Sequence, residues 1–191
     1  MLEAYEADVR IFGENRLQEA QQKMAAIGQK PGLAWHFIGR LQRRKIKAVV
    51  GQFALIHSVE DLDQAREIDR QAQKAGLTQA VLLEVNVGGE SSKGGFSLSD
   101  LMKALSALDG LGHLSVKGLM AIPPWHKEPE AARPYFRELR DLADVIRHSP
   151  CARIRMEELS MGMSQDYAIA IEEGATLVRI GTAIFGQRNV H

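Results

Sequence analysis

Seven short apolar runs, each separated from the next by a loop and, in most cases, a stretch of helical composition, recur along the whole chain and leave few folds open to it. The runs are Val9 to Phe12, Trp35 to Ile38, Ala54 to His57, Ala80 to Val87, Ser115 to Met120, Met156 to Leu159 and Thr176 to Ile180. Each is too short for a helix. Ala80 to Val87 is the clearest, with the β-branched and aliphatic composition of a buried strand. Helical stretches follow at Leu17 to Ile27, Arg43 to Val50, Glu60 to Lys74, Leu98 to Leu108, Glu130 to Arg147 and Gln165 to Glu173. Gly28 and Pro31 stop the first of these, Gly76 the third, and Gly174 lies beyond the last. Tyr135, Leu139, Leu142 and Ile146 make one apolar stripe on the longest helix. For the last helix Ser164 is the expected N-cap, with Asp166 in the first turn to favour the dipole. Leu2 to Ala7 also has helical composition but no capping residue before it, and reads as the tail of a longer helix.

Strand and helix in strict alternation imply a parallel sheet in an α/β fold. At 191 residues the chain has room for one sizeable core, so residues 1–191 are expected to form a single domain. A (β/α)8 barrel of the TIM type uses eight strands and typically about 250 residues, with about 200 near the lower limit. An open doubly wound sheet also alternates, but nothing like G-x-G-x-x-G follows the first strand. The expected fold is therefore the (β/α)8 TIM-barrel type lacking its first strand, incomplete at the N-terminus. Such a barrel carries its sites at the C-terminal ends of the strands, with phosphate often in the loops after the last two.

Composition excludes several roles. The 24 Lys and Arg balance the 24 Asp and Glu, so net charge offers no basis for binding nucleic acid or an anionic membrane. The basic run Arg40 to Lys47 reads as a solvated helix start. A lone cysteine, Cys151, forbids an internal disulfide and fits a reducing compartment. No apolar run approaches the roughly 20 residues of a membrane span, and no signal peptide is visible. A soluble cytoplasmic protein is expected. His36, His57, His113, His126, His148 and His191 show no metal-ligand spacing, so no metal is expected.

The stretch Leu159 to Gly186 gathers small residues and hydroxyls at two strand ends. Ser160, Gly162 and Ser164 fall where one strand gives way to a helix, and Arg179, Gly181 and Thr182 close the last strand. Backbone amides at such turns can face an anion. Two ordinary loops would use the same residue types, and the pattern leaves both readings open.

Seven blocks carry a resemblance to a known family. FGENRLQEA (Phe12 to Ala20), WHFIGRLQ (Trp35 to Gln42), IHSV (Ile56 to Val59), EVNVGGESSKGGF (Glu84 to Phe96), KGLMAIPP (Lys117 to Pro124), LSMGMSQD (Leu159 to Asp166) and VRIGTAIFG (Val178 to Gly186) strongly resemble the pyridoxal-phosphate homeostasis proteins. These in turn resemble the N-terminal barrel of alanine racemase, a fold type III arrangement. The resemblance implies a single-domain barrel that holds pyridoxal 5'-phosphate (PLP) and serves vitamin B6 and amino-acid balance without a defined turnover. Its small-molecule partner is PLP, and a complete barrel of this kind implies a monomer.

Carried onto this sequence, the resemblance puts phosphate contacts on the Ser160 turn with Met161 and on Gly181 and Thr182. It sets Arg179 against the pyridine nitrogen, where a permanently charged guanidinium discourages ring protonation. A barrel-rim ion pair is the alternative for Arg179. Asn15 and His36 are expected to line the same mouth, although His36 also suits a satisfied core position. Alternation sets Leu82, Glu84 and Asn86 on one strand face, expected to point into the pocket. Arg44 stands where the family commonly has asparagine, in an exposed loop. SSKGGF lacks the spacing of a P-loop.

The family's first strand ends in the lysine that forms the Schiff base with PLP. That strand would precede Met1, and no lysine of this sequence matches its position; Lys117 is the least unsuitable substitute and Lys45 is another lysine after a strand. A PLP-dependent racemase is the alternative function. It needs acid and base groups on both substrate faces, and Tyr5, Tyr135 and Tyr167 all fall on helices. A phosphate-binding barrel enzyme unrelated to PLP would satisfy the fold alone.

Overall fold

The computed structural model describes residues 1–90 and 93–186. Ser91 and Ser92 of the SSKGGF segment, and His191, lie outside the described residues. The period-two apolar runs become strands β1 (Ile11–Glu14), β2 (Ala34–Phe37), β3 (Leu55–Val59), β4 (Gln79–Glu84), β5 (Leu114–Met120), β6 (Glu158–Met163) and β7 (Leu177–Arg179). All adjacent pairs are parallel, in the order β1 to β7, so each connection crosses over to the next strand through a helix or loop. The helices are α1 (Leu2–Glu6), α2 (Leu17–Ile27), α3 (Ile46–Val49), α4 (Leu62–Lys74), α5 (Leu98–Asp109), α6 (Arg133–Arg147), α7 (Tyr167–Glu172) and α8 (Thr182–Phe185).

Local chemistry explains several boundaries. Asp61 Oδ1 accepts from the Gln64 amide at 2.6 Å and starts α4, and Ser97 Oγ accepts from the Asp100 amide at 3.1 Å to start α5. The first strand begins at Ile11, two residues later than its apolar run predicts. Val9 is instead bound by its amide to Ala4 O at 3.0 Å, and Arg10 Nη1 donates to Tyr5 O at 2.8 Å, so both residues belong to the turn out of α1. At Glu84 the β4 strand also stops early, because Phe96 pairs with the residues that follow it. Phe96 N donates to Glu84 O at 2.8 Å and Asn86 N to Phe96 O at 2.9 Å.

Two apolar layers divide the strand residues by parity. Ile56, Val81, Leu83, Leu119, Leu159 and Met161 face the helices, where they meet Ile68, Leu101, Phe136, Leu139 and Ala170 in one continuous core. Leu55, Leu82 and Met120 face the other way and pack together, with Ala80 and Leu177 against them. That second cluster joins β3 to β7, which a flat sheet would hold four strand spacings, roughly 19 Å, apart. The sheet therefore curls into a nearly closed barrel with an apolar plug low in its lumen. Among the described residues no ladder joins β7 to β1, and these are the two edges of the sheet.

Candidate functional site

Above the apolar plug, at the C-terminal ends of the strands, the lumen turns polar. His36 on β2, His57 on β3, Ser160 on β6 and Arg179 on β7 form one hydrogen-bonded chain across it. His36 Nδ1 lies 3.0 Å from His57 Nε2, and His57 Nδ1 lies 2.9 Å from Ser160 Oγ. Arg179 Nη1 donates to Ser160 Oγ at 2.6 Å, and its Nη2 donates to Ala121 O at 2.8 Å. Ser160 and Ala121 are buried, as are both histidines.

Burial sets the charges. His36 is lowered to about 4 by desolvation. His57 falls further, to about 3, through desolvation first, then repulsion from His36 and from Arg179. Both rings are neutral at physiological pH. Desolvation also lowers Arg179, to about 10, against the attraction of Glu84 and Asp166, so it stays a cation. Among the described residues it forms no ion pair, and two of its five N–H donors are engaged by neutral oxygens. The expected alternative of a rim ion pair is thus not what the structure contains. Glu84, on the lumen face of β4, is pushed up by burial first and by Glu60 second, with Arg179 and Arg40 pulling the other way.

The closing turns differ from their sequence pattern in two respects. The β6 strand runs to Met163, so Ser160 and Gly162 sit within it instead of in a turn after Leu159. Gly162 has φ +86°, and a Cβ there would stand 2.5 Å from Ala170 Cβ, so only glycine lets α7 lie this close over the strand. Ser164 does not cap α7, whose N-cap position is Asp166, with Asp166 Oδ1 accepting from the Met163 amide at 2.6 Å. Ser164 Oγ instead accepts from the amides of Gly181 at 3.2 Å and Ala183 at 3.3 Å. The turn after β6 is thereby tied to the turn after β7.

Ser160 and Arg179 are in direct contact, and His36 joins them through His57. Gly181 and Thr182 are exposed at the mouth beside Ser164, and a Cβ on Gly181 would meet nothing within 4 Å, so the space over this turn is open. Asn15 follows β1 at the same end; a Cβ at Gly39 would fall 2.1 Å from Asn15 O, so glycine is what lets these two strand ends approach. The Met161 side chain is fully buried in the helix-facing layer, which leaves only its main chain for any role at the site. Asn86 does not join Glu84 in the lumen. Its Nδ2 donates to Glu90 O at 2.9 Å and its Oδ1 accepts from Glu90 N at 3.2 Å, which closes the loop after β4. Lys117 pairs with Glu157 at 3.1 Å. His57 is the member that the sequence pattern did not single out; its only signal was a polar residue closing an apolar run, on the same strand face as Leu55.

A parallel β/α barrel with a polar upper lumen, a part-buried cation that forms no ion pair among the described residues, and two tied turns defines a class, and residues 1–189 match the family described as Alanine racemase, N-terminal domain. The solved alanine racemase of Clostridium difficile 630 superposes with a TM-score of 0.72 over 95% of this chain and 46% of that one, at 14% identity, a likeness of fold alone. Much closer relatives are pyridoxal phosphate homeostasis proteins. That of Aquifex aeolicus is 46% identical over 97% of this chain and 80% of its own length, and that of Pseudomonas aeruginosa 44% over 98% and 78%. The structure of PipY from Synechococcus elongatus PCC7942 with PLP bound has a TM-score of 0.89 at 38% identity, covering 96% of this chain and 85% of PipY. The chain belongs to the pyridoxal phosphate homeostasis protein family. No described helix is long and apolar enough to cross a membrane, and no described group of three or more His, Cys, Asp or Glu could hold a metal ion.

Proposed function

We propose that this chain holds PLP at the polar end of its lumen and acts as a carrier or regulator in vitamin B6 and amino-acid homeostasis, with residues 1–191 as one domain. The observation that carries this reading is Arg179, a cation partly withdrawn from water, held by neutral oxygens, with donors to spare. A desolvated charge that forms no ion pair among the described residues is costly unless something else compensates it. A ligand with an acceptor nitrogen and an anionic tail does so. Arg179 would face the ring nitrogen, and the mouth formed by Ser164, Gly181 and Thr182 would take the phosphate, with open space over Gly181 to admit it. Ser160 and His36 support Arg179 from below, and Asn15 lines the opposite strand end.

When bound, PLP supplies an electrophilic aldehyde and an electron-accepting ring. The residues named here bind and orient it, and a guanidinium that donates to the ring nitrogen keeps that nitrogen unprotonated, which suits storage over broad carbanion chemistry. The tyrosines support a non-catalytic role: Tyr5 donates to Pro31 O at 3.0 Å, Tyr135 stacks on His126 with centroids 5.7 Å apart, and Tyr167 lies exposed on α7. The proposed setting is the cytoplasm, in keeping with the free Cys151.

Equilibrium dialysis of PLP against the purified chain tests the reading, with inorganic phosphate as competitor and Arg179→Met as comparison. Saturable binding that phosphate competes for, and that the variant weakens, is expected. Equal retention by Arg179→Met would overturn the assignment of the site.

A further inference from the structure

The four-residue chain across the lumen has a direction, and the direction says what His57 is for. Ser160 Oγ must accept from Arg179, because a guanidinium has no acceptor. Its single proton can then go to His57 Nδ1, with His57 Nε2–H donating onward to His36 Nδ1. The reverse order would have His36 and His57 donate towards Ser160. Arg179 decides between them. In the first order every N–H and O–H dipole points away from the cation and each bond polarises the next. In the second, the positive end of the His57 N–H dipole is aimed towards Arg179 through a buried serine that is 0% exposed.

We propose that His57 is a positioning residue: as the Nε2–H tautomer it takes the Ser160 proton, which locks the serine oxygen as a fixed acceptor and so holds the Arg179 guanidinium across the lumen. His36 completes the chain by accepting from His57 and is the far anchor on β2. The strut spans β2 to β7, strands that stand five places apart in the strand order. Arg179 itself sits on a three-residue strand at the sheet edge, where ladder hydrogen bonds on one side only would leave it loosely oriented. The significance for a ligand rests on the PLP reading above; the strut itself does not.

Ring nitrogen and guanidinium NMR on uniformly 15N-labelled full-length chain tests it without any ligand. His57 is expected to show a pyrrole-type Nε2 and a pyridine-type Nδ1, and Arg179 to show separately resolved Nη protons, the sign of hindered rotation. A proton on His57 Nδ1, or on both ring nitrogens, would overturn the proposal. In His57→Leu the Arg179 signals should collapse to an average; signals that stay resolved also overturn it. His57→Asn places Oδ1 where Nδ1 was and should restore the resolved signals. In a second arm, PLP dialysis should be roughly tenfold weaker for His57→Leu and within about threefold of wild type for His57→Asn. Equal losses in both variants would count against positioning through Ser160. If wild type binds no PLP, the functional reading fails while the NMR arm still decides the strut. If His57→Leu does not fold, the wild-type tautomer decides it alone.

Discussion

The Ser164 hydroxyl oxygen lies 3.2 Å from the Gly181 amide nitrogen, across 17 residues of chain, and joins the turn after β6 to the turn after β7. The Ala183 amide converges on the same oxygen at 3.3 Å. With both lone-pair directions occupied by amides, the hydroxyl proton remains free to point into the mouth. A serine that would read as a helix cap is thus a clasp between two loops.

Ser164→Ala should therefore loosen the mouth more than the fold. Loss of one donor to an anionic group costs about 1.5–3 kcal/mol, so PLP affinity measured by equilibrium dialysis is expected to fall by roughly tenfold or more. Thermal denaturation should move little, since Ser164 lies outside the core. A large drop in Tm with unchanged affinity would assign the clasp to stability instead.

Arg179→Met should separate function from stability in the other direction. The variant removes a desolvated cation and also takes the donor from Ala121 O, and these effects oppose each other. Tm is expected to stay within about 3 °C of wild type. PLP retention is expected to fall at least about tenfold. Melting curves and dialysis on the same preparation check both.

Acid should weaken the fold before any carboxylate cluster titrates. His36 and His57 lie at about 4 and about 3 when folded, below the ordinary histidine value of 6.5. Their contribution is complete above 6.5 and is lost progressively as pH falls from there to about 4 for His36 and about 3 for His57, because the unfolded chain takes up protons that the folded one refuses. The slope is about 1.4 kcal/mol per pH unit for each such proton. Urea unfolding from pH 7.5 to pH 4.5 checks the sign, and His57→Asn should flatten the slope.

Three arginines of α6 converge on a single buried carboxylate after α7. Arg133 Nη1 lies 2.8 Å from Glu173 Oε1, Arg140 Nη1 lies 2.8 Å from its Oε2, and Arg137 Nε lies 3.1 Å from Oε1. Arg133 first and Arg137 second hold its carboxyl at about 2. Glu173→Gln leaves three guanidinium groups facing one neutral amide and weakens the hold of α6 on α7, which keeps the Arg133–Glu172 pair at 2.7 Å. Its Tm should fall clearly more than that of Arg66→Ala, which breaks an exposed pair on α4. Differential scanning calorimetry of the two variants decides this.

Much of the architecture could be read from the residues in order. Apolar runs such as Ala80 to Val87 and the stripe Tyr135, Leu139, Leu142 and Ile146 announce strand and helix through their own periods, because burial on a repeating backbone imposes a repeating pattern. Boundaries were less legible where a distant partner set them. β6 extends to Met163 and β4 stops at Glu84 because of ladder and loop bonds to other segments, and no local pattern contains those.

The sequence by itself determined the alternation, the parallel sheet, the family, and the small-residue character of the closing stretch, since each depends on neighbours within a few positions. Only the tertiary structure decided what those residues do. It set His57 against Ser160, 103 residues away, and left Arg179 without an ion pair among the described residues. It also turned Ser164 from its own helix to the next turn and sent the Met161 side chain outward. These outcomes follow from barrel curvature, which brings β3 and β6 face to face across a lumen when a flat sheet would hold them roughly 14 Å apart. Hydrogen bonds across a closed surface are set by that curvature, and the linear order of residues does not encode it position by position.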